Sequence, residues 1–274
     1  VMTKAADTGG HTVIANNWIA WDVGYKYSIV FTDMNMENVP DFLKSAVKTS
    51  GGEMYFLKGT YIEKAKQLLC ISQRFSKVIL LQHMYDIIPN LAYSNLKWNI
   101  PIYMYNHANF KFSYGYAVAD VVISLCNYDV EKAITYRGVN KSRNVFLQFP
   151  NGENIIGNMG DGFKRNGRKK NIVNKYQIDP QKKLVVSMGD DFKFNDIIDC
   201  SFVKFVQNLI IQRNGDTQYL VIGADPDKEK WKLLLKNTDG LARAVGFIPR
   251  EEAYELIHAA DLYIVSFPMA ASGL

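Results

Sequence analysis

Two histidines stand directly after short apolar runs: His83 follows Val78-Ile79-Leu80-Leu81-Gln82, and His107 follows the stretch from Ile102 to Asn106. Imidazole changes charge nearest neutral pH, so at such positions it can serve as acid, base or hydrogen-bond partner. Asp86 adds a carboxylate to the same loop as His83. A further candidate is the pair Gly9-Gly10, between Val1-Met2-Thr3 and an aromatic-rich helical run from about Thr12 to Trp21. A strand, a glycine turn and a helix start make a seat for an anion, because backbone N–H groups approach closely and the helix N-terminus is partly positive. The spacing is not the G-x-G-x-x-G dinucleotide fingerprint. A plain tight turn competes with the anion seat, and histidines satisfied by backbone hydrogen bonds compete with functional ones.

The elements that must position these residues alternate. Apolar β runs are expected at Tyr25–Phe31, Met54–Leu57, Val78–Leu81, Ile102–Tyr105, Val121–Leu125 and Val145–Leu147, with helical segments between them. Val78-Ile79-Leu80-Leu81 is apolar throughout, as in a strand buried on both faces of a parallel sheet. The alternation resumes with strands at Leu184–Met188, Tyr219–Ile222, Ala242–Val245 and Leu262–Val265. A helix starting near Asn195 is expected to bury Ile198, Phe202, Phe205, Val206, Leu209 and Ile210 on one face. Alternation with short loops predicts an α/β protein with doubly wound parallel sheets, which bind ligands beyond the carboxyl ends of their strands. Between the halves lies Phe149-Pro150-Asn151-Gly152-Glu153. Pro presets φ, and Asn and Gly accept left-handed backbone, so this stretch reads as a hinge. The expected domains are residues 1–150 and 151–274, with the active site in the cleft between them.

The 274 residues suffice for two such domains, and 48% hydrophobic with 22% charged residues is ordinary globular composition. No apolar run reaches membrane-spanning length and no signal-peptide pattern opens the chain, so a cytoplasmic location is expected. Both ends read as clipped. Cys70, Cys126 and Cys200 are far apart and odd in number, predicting free buried thiols. The net charge of +5 owes much to one cluster, Lys164, Arg165, Arg168, Lys169 and Lys170. Without interleaved aromatics this is no nucleic-acid signature. A solvated linker is favoured over contact with an anionic membrane surface.

Several landmarks then recur in order: Pro150-Asn151-Gly152-Glu153, Ser187-Met188-Gly189, Val245-Gly246-Phe247-Ile248-Pro249, Ala259-Ala260-Asp261-Leu262, Ser266-Phe267-Pro268 and Ser272-Gly273-Leu274. Together they resemble GT-B glycosyltransferases, in particular the retaining group of sucrose-synthase-like and bacterial polysaccharide enzymes. The resemblance implies two Rossmann-like domains, the acceptor on the first and the nucleotide sugar on the second. It implies transfer of a sugar from a nucleotide-diphosphate sugar, such as a UDP-sugar, to an acceptor hydroxyl, with retention and without a metal or other cofactor. The acceptor would be a glycan, a lipid-linked sugar or a protein, with a peripheral contact to the inner face of a membrane compatible with it.

The same resemblance assigns roles. Lys193 takes the place of the family's phosphate-binding cation, with Gly189 at the start of its loop. Gly9 and Gly10 bring N–H groups to the phosphates, Phe247 lies near the base, and Ser272 and Gly273 meet sugar and diphosphate. His107 stands beside the transferred sugar, and His83 and Asp86 fall on the acceptor side. Two departures stand out. Met269 or Ala270 occupies the place of the family's first motif glutamate, and Asp190 and Asp191 stand where positive charge is usual. These aspartates are expected to cap the following helix or face solvent. The alternatives are a non-catalytic partner subunit of the same fold, or a nucleotide-sugar epimerase. Tyr103, Tyr105, Phe110, Phe112, Tyr114 and Tyr116 form either a stacking platform for an acceptor or aromatic core.

Overall fold

The computed structural model of the chain describes residues 1–7, 10–94, 98–107, 112–147 and 172–269. Gly9, Phe110, the Phe149–Glu153 stretch, the cluster from Lys164 to Lys170, Ala270, Ser272 and Gly273 lie outside the described residues. The chain divides into two compact units, Val1–Gly152 and Glu153–Leu274.

In the first unit, α1 (Gly10–Trp21), β1 (Ile29–Phe31), α2 (Asp41–Thr49), β2 (Met54–Phe56), α3 (Tyr61–Ser72) and β3 (Val78–Leu80) come first. Then follow α4 (Ile88–Tyr93), β4 (Ile102–Asn106), β5 (Val121–Ser124), α5 (Asn127–Arg137) and β6 (Asn144–Phe146). β1 pairs with β2, and β3, β4, β5 and β6 pair in that order, all parallel. Met2 bridges in parallel to both Phe31 and Leu81, so the opening residues lie between β1 and β3. Strand direction and side-chain alternation then place helices on both faces. Ile29, Phe31, Leu81, Tyr105 and Ile123 pack with Ile19 of α1 and Leu43 and Val47 of α2. Val30, Leu80, Ile102, Met104 and Val122 pack with Leu68 of α3, Ala92 of α4 and Ala133 of α5.

The second unit repeats this plan with β7 (Lys183–Met188), α6 (Phe202–Gln212), β8 (Thr217–Ile222), α7 (Glu229–Asn237), β9 (Ala242–Gly246), α8 (Arg250–Ala259) and β10 (Leu262–Tyr263). Its parallel sheet has the order β10-β7-β8-β9. Val185, Tyr219 and Val221 face Phe202, Val206 and Ile210 of α6 and Trp231 and Leu234 of α7, while Val186, Leu220 and Ile222 face Ala253 and Leu256 of α8.

Two expectations are corrected. The helix expected from Asn195 begins at Phe202, because the Ser201 hydroxyl caps it by accepting from the Lys204 N–H at 3.3 Å. Ile198 is therefore not on its buried face; it is 95% exposed at φ 49°, in a turn closed by the Ile197–Cys200 bridge. Nor are the thiols buried. Cys70 and Cys200 are exposed and Cys126 half-buried, since α3 turns Ala65, Leu68 and Ser72 inward and Cys200 belongs to that same turn.

Candidate functional site

In the first unit the strand order reverses between the Met2 strand and β3, and parallel sheets open a crevice at such a reversal. The chain leaves the Met2 strand toward α1, leaves β3 through His83 to Asp86, and leaves β4 at His107. Three of the four histidines of the sequence meet here. The rings of His11 and His107 lie edge to face, 3.7 Å apart between centroids at 79°. Burial pushes His11 down to about 4, with nearby His83 adding to the effect. Burial, followed by His11, pushes His107 down to about 3, against an opposing hydrogen bond to the Tyr105 carbonyl. Both rings are neutral at pH 7.

Asp86 ties three strand ends together. Its Oδ2 accepts from Thr3 Oγ1 at 2.7 Å and from Thr32 Oγ1, and its Oδ1 accepts from the Ile88 N–H at 3.0 Å. Thr3 Oγ1 in turn accepts from the His83 N–H at 2.8 Å. Asp86 is buried, whereas His83 is exposed. Gly10 opens α1, whose first turn carries no acidic residue, and a Cβ added at Gly10 would meet nothing within 4 Å. No carboxylate of its own first turn neutralises the N-terminal dipole of this helix.

The second unit reverses order between β10 and β7. Gly189 follows β7 and leads into a single 3-10 turn, Asp191–Phe194, that carries Lys193. Ser266 and the cis Phe267–Pro268 peptide follow β10. A Cβ at Gly189 would lie 3.1 Å from Lys193 Cδ and 3.4 Å from Ser266 Cβ, so the two loops meet closely. The Met269 N–H donates to the Lys193 carbonyl at 3.4 Å. Beneath them Gly223, at φ 85°, approaches so near that a Cβ there would stand 2.6 Å from the Gly189 carbonyl oxygen. Phe247 follows β9 at the same sheet end and is 71% exposed.

Contrary to the expectation from sequence, Asp191 neither caps a helix nor faces solvent. Its Oδ2 accepts from Lys228 at 2.7 Å and Lys230 at 3.2 Å, and its Oδ1 accepts from Trp231 Nε1 at 2.6 Å. Burial opposes its charge, but the bonds from Lys228, Trp231 and Lys230 prevail and hold the carboxyl below its usual range. This carboxylate is thereby neutralised away from Lys193. Asp190 is exposed and makes no capping bond. Among the described residues Lys193 has no ion-pair partner.

The structure thus gathers His83, His107 and Asp86 with Gly10 in one unit, and Gly189, Lys193 and Phe247 at one sheet end of the other. His11 was not singled out from sequence. The available signal was its place one residue past the glycine pair, on the same line of strand ends as the other two histidines. Of the aromatic stretch, Tyr105 is core and Tyr103 packs against it, whereas Phe112 is exposed and Tyr114 and Tyr116 half-buried. Among the described residues no three His, Cys, Asp or Glu side chains are disposed to hold a metal ion, and no helix is long and apolar enough to cross a membrane.

No family model matches the chain, and no curated protein matches it. Solved structures do. A glycosyltransferase from Rickettsia africae ESF-5 aligns over 96% of this chain and 70% of its own, with a TM-score of 0.65 at 10% identity. WaaG, a glycosyltransferase involved in lipopolysaccharide biosynthesis, aligns over 97% and 73%, with a TM-score of 0.53 at 12% identity. The UDP-GlcNAc 2-epimerase of Neisseria meningitidis, bound to UDP-GlcNAc, aligns over 91% and 73%, with a TM-score of 0.51 at 9% identity. At such identities the likeness is one of fold, and the fold is the GT-B fold of glycosyltransferases and sugar-nucleotide epimerases.

Proposed function

We propose that this chain is a glycosyltransferase that moves a sugar from a nucleotide-diphosphate sugar, such as a UDP-sugar, to an acceptor hydroxyl. The observation that carries this reading is Lys193, beside the side-chain-free Gly189 at the strand reversal of the second unit. As the glycosidic bond breaks, negative charge grows on the departing diphosphate, and a fixed ammonium stabilises that charge more than the ground state. Such a cation takes the part that Mg²⁺ plays elsewhere, so the reaction is proposed to need no metal. Phe247 is proposed to lie against the base.

In the first unit the histidine cluster is proposed to bind a sugar or acceptor hydroxyl. A general base works best with a pKa near the working pH, and His107, pushed down to about 3, is too weak a base for that part. It is therefore assigned a neutral hydrogen bond to a hydroxyl, with Asp86 positioning the loop around it. An epimerase would call for further carboxylates at the strand ends. Asp86 has both oxygens occupied and Asp191 is held by lysines, which leaves Asp190 alone exposed among these three and favours the transferase. Retention, a hexosyl donor and a lipid-linked or polysaccharide acceptor are proposed on the family resemblance.

The test is nucleoside diphosphate release from a panel of sugar nucleotides with mixed glycan acceptors, in EDTA, with product anomers read by NMR. Acceptor-dependent release with a retained anomer is expected. Absence of release with every donor would favour a non-catalytic binding subunit, and release only after Mg²⁺ addition would contradict metal independence.

A further inference from the structure

The first unit carries a pocket of about 370 Å³, within the range of small-ligand pockets, about 300–1,000 Å³. One wall is the turn after β4, with Phe112, Tyr114 and Tyr116; Asn90 of α4 and Tyr136 near the end of α5 supply others.

The turn is tied to the loops that carry the histidines. The Tyr114 N–H donates to the carbonyl of Met84, the residue after His83, at 2.8 Å. The Tyr116 hydroxyl donates to Oδ1 of Asn106, the residue before His107, at 2.7 Å. Gly115, at φ 101°, lets the turn press against Gln82, the residue before His83. The pocket is thus built onto the same framework as the histidine cluster and begins beside it.

The guanidinium groups in its lining brace that framework. Arg143 donates to the carbonyls of Tyr116, at 3.1 Å, and of Ala119. Arg137 donates to the Tyr116 hydroxyl, where the charge of buried Asp129 opposes its own. Two other features are left to a ligand. Asn90 Oδ1 is buried without a hydrogen-bond partner among the described residues, so it calls for a donor such as a hydroxyl. Phe112 and Tyr136 are 58% and 65% exposed and offer aromatic surface. Phe112 is held edge to face against Tyr114 at 5.2 Å, and Tyr136 has the Lys132 ammonium 4.5 Å from its ring centroid. A neutral sugar ring matches both features, because its C–H face is apolar and its rim carries hydroxyl donors. An alkyl chain would leave Asn90 without a donor.

We propose that this pocket binds a neutral sugar unit of the acceptor, at least one residue removed from the reacting hydroxyl, so that the acceptor is an oligosaccharide rather than a single sugar. This rests on the reading of the histidine cluster as the place of the acceptor hydroxyl.

The experiment is a calorimetric titration of the whole chain with maltotetraose, cellotetraose, mannotetraose and chitotetraose. Their monosaccharides, tetragalacturonate and dodecyl maltoside are titrated beside them. At least one neutral tetrasaccharide is expected to bind, with its monosaccharide about tenfold weaker or more, because the single ring fills one position only. Tyr136→Ala and Phe112→Ala are each expected to weaken that binding about threefold to tenfold. Both side chains are exposed, so their replacement tests the site without threatening the fold. The proposal is overturned if no neutral tetrasaccharide binds, or if the monosaccharide binds equally well. Tighter binding of tetragalacturonate or dodecyl maltoside, or undiminished binding by both variants, overturns it as well. A chain that binds the tetrasaccharide but never releases a nucleoside diphosphate keeps the glycan site and loses the transferase reading. A chain that transfers to single sugars but binds no tetrasaccharide keeps the transferase and loses the site.

Discussion

The burial of His11 and His107 sets a pH dependence of stability. Both imidazoles have their folded values lowered from 6.5, to about 4 and about 3. Between pH 6.5 and 4 the unfolded chain binds more protons at these positions, so stability is fully present above 6.5 and falls as pH drops through that window. Each ring contributes a slope of at most about 1.4 kcal/mol per pH unit. His107→Gln removes one of the two titrating groups, so urea unfolding of the variant is expected to lose less stability between pH 7 and pH 5. Equal losses in variant and parent would show that these rings titrate as they do in water.

At the scale of elements, the loops after β7 and β8 depend on glycine. Gly223→Ala would force left-handed backbone on a residue with a Cβ and drive that Cβ into the Gly189 carbonyl. The expected cost is about 2 kcal/mol or more, with weakened nucleotide binding because the Gly189 turn must shift. A variant with unchanged melting and binding would mean the two turns do not support each other. The central strands of both units were legible in sequence. Val78-Ile79-Leu80 and Leu184-Val185-Val186 are continuous apolar runs, and such runs have few homes outside a two-faced sheet. The start of α6 was not legible, because Ile198 precedes Phe202 by one helical turn and mimics the periodicity, while Ser201 fixes the boundary. His11 was hidden for another reason: its partner His107 lies 96 residues away, and only the parallel sheet brings the two together. The fate of Asp191 was equally non-local, since its lysine partners arrive on α7.

At the scale of the whole molecule, each unit holds its own layered cores. Trp231 is the one tryptophan of the four that falls within residues 153–274. It is buried beside Phe202, whose ring also meets Phe194, Tyr219 and Phe267. Phe202→Ala is expected to cost about 3–5 kcal/mol and to lower the denaturant midpoint read by Trp231 fluorescence; an unchanged midpoint would contradict this packing. The central claim is that the molecule binds a nucleotide-diphosphate donor through Lys193. Its most direct test is calorimetric titration with UDP, GDP, ADP and CDP, beside Lys193→Ala at matched fold. One nucleotide is expected to bind tightly, and Lys193→Ala is expected to weaken that binding by about tenfold or more, the loss of one charge-assisted contact. No binding by any nucleotide, or binding indifferent to Lys193, would contradict it.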